Sequence, residues 1–290
     1  MASMRDIKRR KGSIQSTQQI TKAMKLVSTV KLQRAKQNAE KSGNYFHCMF
    51  DTVNSILKKT GSLDHKYLKS GQSGKKAVIV ITSNRGLAGG YNSNVIKLIT
   101  RGELAGEDLA IYAVGKKGRE ALQRQYEIKA DYSDVIEEPA YVDAMVISKD
   151  VLEAFSKGEI SEIYLAYTAF KNTVVHVPTL LKLLPVAISE ESEKMGEETA
   201  VGDDRAPMNF EPEDEEALNL LIPKYITSLI YGGMIEAVAS ENGARMQAMD
   251  SATSNAEEMI ENLTLLYNRA RQGSITQELT EIIAGANAIS

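Results

Sequence analysis

Proline placement constrains this chain more than any other feature. All six prolines, Pro139, Pro178, Pro185, Pro207, Pro212 and Pro223, lie between positions 139 and 223 of 290. Residues 1–60 and 224–290 have none, which lets both ends run as long uninterrupted helices. Both ends also favour Ala, Gln, Lys, Leu, Met and Glu, residues that lose little in a helix.

The ends carry heptad stripes. Met249, Ala252, Ala256, Met259, Leu263, Leu266 and Ala270 follow steps of three and four and predict a seam for a second helix. Its register breaks near Gly273 and resumes at Ile275, Leu279, Ile282, Ala286 and Ile289, the pattern of a stutter. The N-terminal stripe is thinner: Met4, Ile7, Ile14, Thr21, Met24 and Val27, with Lys11 and Gln18 between. Neither stripe suits a helix standing alone, so the two are expected to pair.

Between them the pattern changes. The stretches 75–82, 108–115 and 161–170 are short apolar runs with strand character, separated by helix-like stretches. Such alternation predicts a mostly parallel sheet with right-handed crossovers. Residues 173–186 add an edge strand holding Pro178 and Pro185, and 187–216 form an acidic loop. The expected fold class is α/β: a long antiparallel coiled coil of terminal helices with an inserted Rossmann-like domain. Its segments are 1–60, 75–210 and 211–290. If the two helices pair, one must run toward the domain and the other away from it. At 1.5 Å per residue they reach roughly 80 and 100 Å, so the second overhangs at its C-terminal tip.

Three features invite a function. The turn Gly86-Leu87-Ala88-Gly89-Gly90 follows an apolar strand, as phosphate-binding turns do. It lacks the G-x-G-x-x-G spacing, the Gly-Lys-Ser/Thr of a P-loop and an acid at the end of the second strand. A tight structural turn is the simpler reading, with Asn92 or Ser93 capping the next helix. Residues 1–41 carry eleven Lys or Arg against Asp6 and Glu40. That stretch is a solvated face, a surface for an acidic protein or a phosphate-backbone contact. The apolar tail from Glu281 needs a cover, and chains other than its own would supply it. No nucleophile–base–acid set stands out, and His47, His65, His176 and Cys48 lack metal-ligand spacing. Neither a cofactor nor a metal is expected, and no apolar run reaches the length of a membrane span. A nucleotide-dependent enzyme and a nucleic-acid-binding coiled coil stand as alternatives, which nucleotide titration and salt-dependent DNA retention would reveal.

The ends also support a resemblance. Residues 13–35 resemble the first helix of the gamma subunit of F-type ATP synthases, and 241–289 its last helix. The stretch 82–92 is similar to its first strand-to-helix turn, and Ile275 to Ala286 match its closing I-T-x-E-x-x-E-x-x-x-G-A. Ala88 departs from the cysteine that many relatives carry there. The resemblance implies a central rotor without an active site, coupling ion flow to ATP synthesis in the catalytic head. The implied partners are the head's alpha and beta subunits, the epsilon subunit and the membrane c-subunit ring, with no nucleic acid. It also implies head contacts at Arg9, Arg10, Lys22, Met24, Lys25, Arg85, Arg271 and Gln272. Ile275, Leu279, Ile282, Ile283, Ala286 and Ile289 fall in an apolar bearing. A first helix beginning almost at Met4 favours a bacterial protein on the cytoplasmic face of the plasma membrane.

Overall fold

The computed structural model describes residues 4–60, 65–71, 74–186 and 214–289. Most of the expected acidic loop at 187–216, with Pro207 and Pro212, lies outside them. Helix α1 runs Met4–Thr60, and the last helix, α5, runs Asp214–Ile289. Helix α5 begins ahead of Pro223 and continues through it, so that proline does not mark the helix start. The contacts divide the chain into two compact units, Met1–Thr29 with Arg245–Ser290, and Val30–Ala244.

The second unit holds a five-stranded sheet. Its elements are β1 (Lys76–Ile81), α2 (Tyr91–Arg101), β2 (Leu109–Val114), α3 (Lys116–Leu122), β3 (Glu127–Asp131), α4 (Tyr141–Ser156), β4 (Glu162–Phe170) and β5 (His176–Leu184). The strand order is β3-β2-β1-β4-β5, with β5 alone antiparallel. The period-two alternation of β1 explains the two cores. Ala77, Ile79 and Ile81 face one cluster with Ile147 and Val151 of α4 and Ile226, Ile230 and Met234 of α5. Val78 and Val80 face the other, with Val95 and Ile99 of α2 and Leu122 of α3. Right-handed crossovers demand this split. Moving outward from β1 to β3 places α2 and α3 on one face, and returning to β4 places α4 on the opposite one.

Sequence patterning misses β3. Its run Glu-Ile-Lys-Ala-Asp is an exposed edge with only Ile128 and Ala130 turned inward, too polar to resemble the central strands. The edge position of β5 matches the expectation, with Pro178 opposite Thr168. Helix α5 is bonded to the end of β4 at two points. Ser240 Oγ donates to the Thr168 carbonyl at 3.0 Å, and the Phe170 N–H donates to Glu236 Oε2 at 3.3 Å. Desolvation pushes the part-buried Glu236 carboxyl up to about 7, against the opposing pull of that N–H.

Candidate functional site

The glycine turn after β1 is held by its own side chains. Three successive amides open α3. Lys116 N–H donates to Asn84 Oδ1 at 3.0 Å, Lys117 N–H to the Ser83 carbonyl at 3.1 Å and Gly118 N–H to Thr82 Oγ1 at 2.8 Å. These bonds tie the turn to the start of α3 and engage that helix's first amides, whereas the helix that follows the glycine turn is α2. Asn92 does not cap α2, as its sequence position suggests. Its side chain turns back to β1, where Oδ1 accepts from the Ser83 N–H at 2.9 Å. Ser93 Oγ donates to the Gly90 carbonyl, and the cap position itself is Gly90, which offers no side chain. Gly115, at φ +124°, is required, since a Cβ there would stand 2.1 Å from the Thr82 carbonyl oxygen.

The unit formed by the chain ends has a different logic. Three pairs fix its register: Gln18 Nε2 donates to Glu257 Oε1 at 3.0 Å, the Thr21 and Thr253 hydroxyls lie 2.8 Å apart, and Lys25 Nζ donates to Asp250 Oδ1 at 2.5 Å. Residue numbers rise on α1 as they fall on α5, so the helices are antiparallel. On α1 the inward positions are Met4, Ile7, Lys11, Ile14, Gln18, Thr21, Lys25 and Ser28 in heptad succession, with Met24 part-buried beside Lys25. Val27, expected in the seam, is 58% exposed, and Ser28 takes its place.

On α5 the seam runs through Met249, Thr253, Ala256, Ile260, Leu263, Tyr267 and Ala270. The expected Met259 and Leu266 stand outside, 52% and 50% exposed, and Ala252 is part-buried beside Thr253. Starting from Ala252 instead of Thr253 shifts every alternate position by one residue. The seam is therefore laced with polar groups, while Ile20, Leu26, Val27, Met259, Leu265 and Leu266 face outward.

The tip follows from the register. Met4 falls opposite Ala270 and Arg271, so α5 continues beyond the start of its partner. Every described side chain from Arg271 to Asn287 is exposed, including the apolar Ile275, Leu279, Ile282, Ile283 and Ala286. Ile289 ends the helix, but its side chain lies outside the described residues. The helix is continuous at Gly273, where an added Cβ would meet open space. The seam's described positions stop at Ala270, opposite the first described residue of α1, and α5 shows no break at the expected stutter.

The basic residues divide by role. Arg9 is exposed and pairs with Asp6 at 3.2 Å, while Arg10 and Lys22 are exposed and Met24 is part-buried. Lys25 spends its charge on Asp250 at the solvent-exposed margin of the seam. Arg9, Arg10 and Arg269 line a groove of about 1200 Å³ together with Asp6 and the apolar Met4, Ile7, Leu263, Leu266 and Ala270. In the other unit Arg85 is exposed, with Glu137 at 3.5 Å. Arg269 and the outward leucines are contact candidates that sequence patterning missed, since the pattern assigns apolar residues to the interior. Among the described residues no group of three His, Cys, Asp or Glu is placed to hold a metal, and no helix is long and apolar enough to cross a membrane.

A family model described as ATP synthase matches residues 3–289. The ATP synthase gamma chain of Lachnoclostridium phytofermentans is 65% identical, with all of both chains covered. The chain belongs to the ATP synthase gamma chain family. The gamma chain of Acetobacterium woodii, named as sodium ion specific, is 42% identical over 99% of both chains. Among solved structures, the central stalk/c-ring of Tetrahymena thermophila mitochondrial ATP synthase contains a chain 27% identical, with a TM-score of 0.57. The match covers 80% of this chain and 99% of that one. A chain of the Euglena gracilis mitochondrial enzyme shares the fold at 19% identity and a TM-score of 0.68, covering 99% and 94%. The protein is thus a non-catalytic subunit of an ATP synthase, whose role is to couple ion flow to ATP synthesis and hydrolysis by rotation in the central stalk.

Proposed function

We propose that the paired ends of this gamma chain turn inside a close sleeve formed by the alpha and beta subunits of the catalytic head. The observation that carries this reading is the apolar surface left outside the pair: Ile20, Leu26, Val27, Met259, Leu265 and Leu266 are exposed, while the seam mixes apolar residues with Gln18, Thr21 and Thr253. Water is a poor final environment for such an exterior. An apolar exterior also suits a rotating part, because dispersion contacts are short-ranged and non-directional and can be exchanged without breaking fixed hydrogen bonds.

Within this reading Ile275, Leu279, Ile282, Ile283, Ala286 and Ile289 form the bearing at the tip. Arg271 and Gln272, at the point where α5 loses its partner helix, form a polar latch on a catalytic-subunit loop. Arg9, Arg10 and Arg85 address an acidic lever segment of the head, with Lys22 and Met24 in the surface facing it. Lys25 belongs to that surface mainly by holding α1 to α5. The α/β unit meets the epsilon subunit and the c-subunit ring, and the complex sits on the cytoplasmic face of a bacterial plasma membrane. The functional segments on this reading are 1–60, 75–210 and 211–290. The exposed tip, the family membership and the central-stalk neighbour support the assignment.

Amide hydrogen exchange on the chain alone and in the assembled head tests the proposal. Residues 4–20 and 271–287 should exchange quickly in the free chain and slow at least tenfold on assembly, while β1, β2 and β4 are protected in both. Equal exchange at the tip in the two states would refute the sleeve.

A further inference from the structure

The turn after β1 has one feature that its own packing does not explain. Leu87 is the only non-glycine at positive φ among the described residues, at +63°, and its side chain is 64% exposed. A leucine in the left-handed region is strained, and an exposed leucine recovers little from its own fold. Glycine suits such a position, and Gly89, at φ +56°, fills the same role two residues later. Nor is the turn loose. Ser83 Oγ donates to the Arg85 carbonyl at 2.5 Å, Asn84 Nδ2 to the Ser133 carbonyl at 2.8 Å and Tyr91 N–H to the Ala88 carbonyl at 3.2 Å. Ala88 is buried, while Cβ atoms built on Gly86 and Gly89 would meet open space. The fold therefore fixes an apolar side chain outward on a rigid turn, two residues from the exposed guanidinium of Arg85.

We propose that Leu87 is a fixed apolar contact for the same segment of the catalytic head that Arg85 engages, a segment pairing a carboxylate with an apolar recess. This rests on the assignment of Arg85 to a head contact. The cation and the leucine divide the work: Arg85 selects the acidic partner, and Leu87 sets how closely it seats. A rigid knob suits this task because it loses little conformational freedom on contact. Strain at the turn persists because the leucine gains from the partner what it does not gain from its own chain.

Leu87→Gly, Leu87→Met and Arg85→Gln, each in the full chain, test this by melting of the free chain and by ATP turnover of the assembled head. Leu87→Gly should melt no lower than the parent, because glycine relieves the strain, yet turn over roughly fivefold more slowly. Leu87→Met, which keeps apolar bulk, should retain most of the turnover. Parent-like turnover in Leu87→Gly overturns the proposal, and so does a lower melting temperature, which would give Leu87 a structural role. Loss in Arg85→Gln with full turnover in Leu87→Gly keeps the Arg85 contact and rejects the leucine one. The reverse outcome removes Arg85 from the head contact and leaves Leu87 in it.

Discussion

Leu263 and Leu266 are three residues apart on α5, alike in chemistry and opposite in placement. Leu263 lies in the seam at 9% exposure, and Leu266 is 50% exposed on the outer face. Truncating a buried leucine to alanine costs about 2–5 kcal/mol, and a two-helix seam that can close on the gap belongs near the low end, about 2. Leu266 keeps half its surface in water and loses less than half the transfer energy of a buried leucine, about 1 kcal/mol or less. In the free chain, Leu263→Ala should therefore lower the melting of the helix pair, followed by circular dichroism at 222 nm, distinctly more than Leu266→Ala. In the assembled head the order should reverse for function. Leu266→Ala removes a contact with the sleeve and slows turnover, whereas Leu263→Ala, held in place by the surrounding subunits, changes it less. Equal melting losses would refute the seam, and equal turnover would refute the apolar exterior as a working surface.

Arg271→Ala with Gln272→Ala should assemble normally, since neither residue lies in the seam, and slow ATP turnover several-fold. Normal turnover would strike both from the latch. Arg9→Gln with Arg10→Gln should leave the free chain's melting unchanged within ~0.5 kcal/mol, while altering hydrolysis by the assembled head and its salt response. Glu236 gives a pH test. Its folded pKa of about 7 lies above the ordinary value of 4.5, so its favourable contribution is complete below the unfolded pKa and lost as pH rises through about 7. Glu236→Gln should therefore match the parent near pH 4 and exceed it at pH 8. The gain there should be about 1–2 kcal/mol after allowing for water at a part-exposed carboxyl. A mutant less stable at pH 8 would mean that the Phe170 contact outweighs burial.

Proline placement made the terminal helices legible, because a proline-free helical composition over sixty residues leaves few alternatives. The central strands β1, β2 and β4 were equally legible from their apolar runs, but β3 was not, since an edge strand half in water has no such run. The stripe was readable on α1 as far as Met24, with polar Lys11 and Gln18 accepted as inward positions, and failed only at Val27. On α5 the reading went wrong at one choice, Ala252 over Thr253. Preferring the apolar residue assumes that apolar means inward. Here the hydroxyl of Thr253 faces Thr21, while Met259 and Leu266 face out. The assumption fails because it treats the chain as its own final environment. On the proposed sleeve reading, hydrophobicity is divided between two burials, one made by folding and one by assembly, and pattern alone cannot separate them. Leu87 presents the same problem at a single residue. An apolar side chain that the fold has fixed in water makes sense only if folding is not the last step.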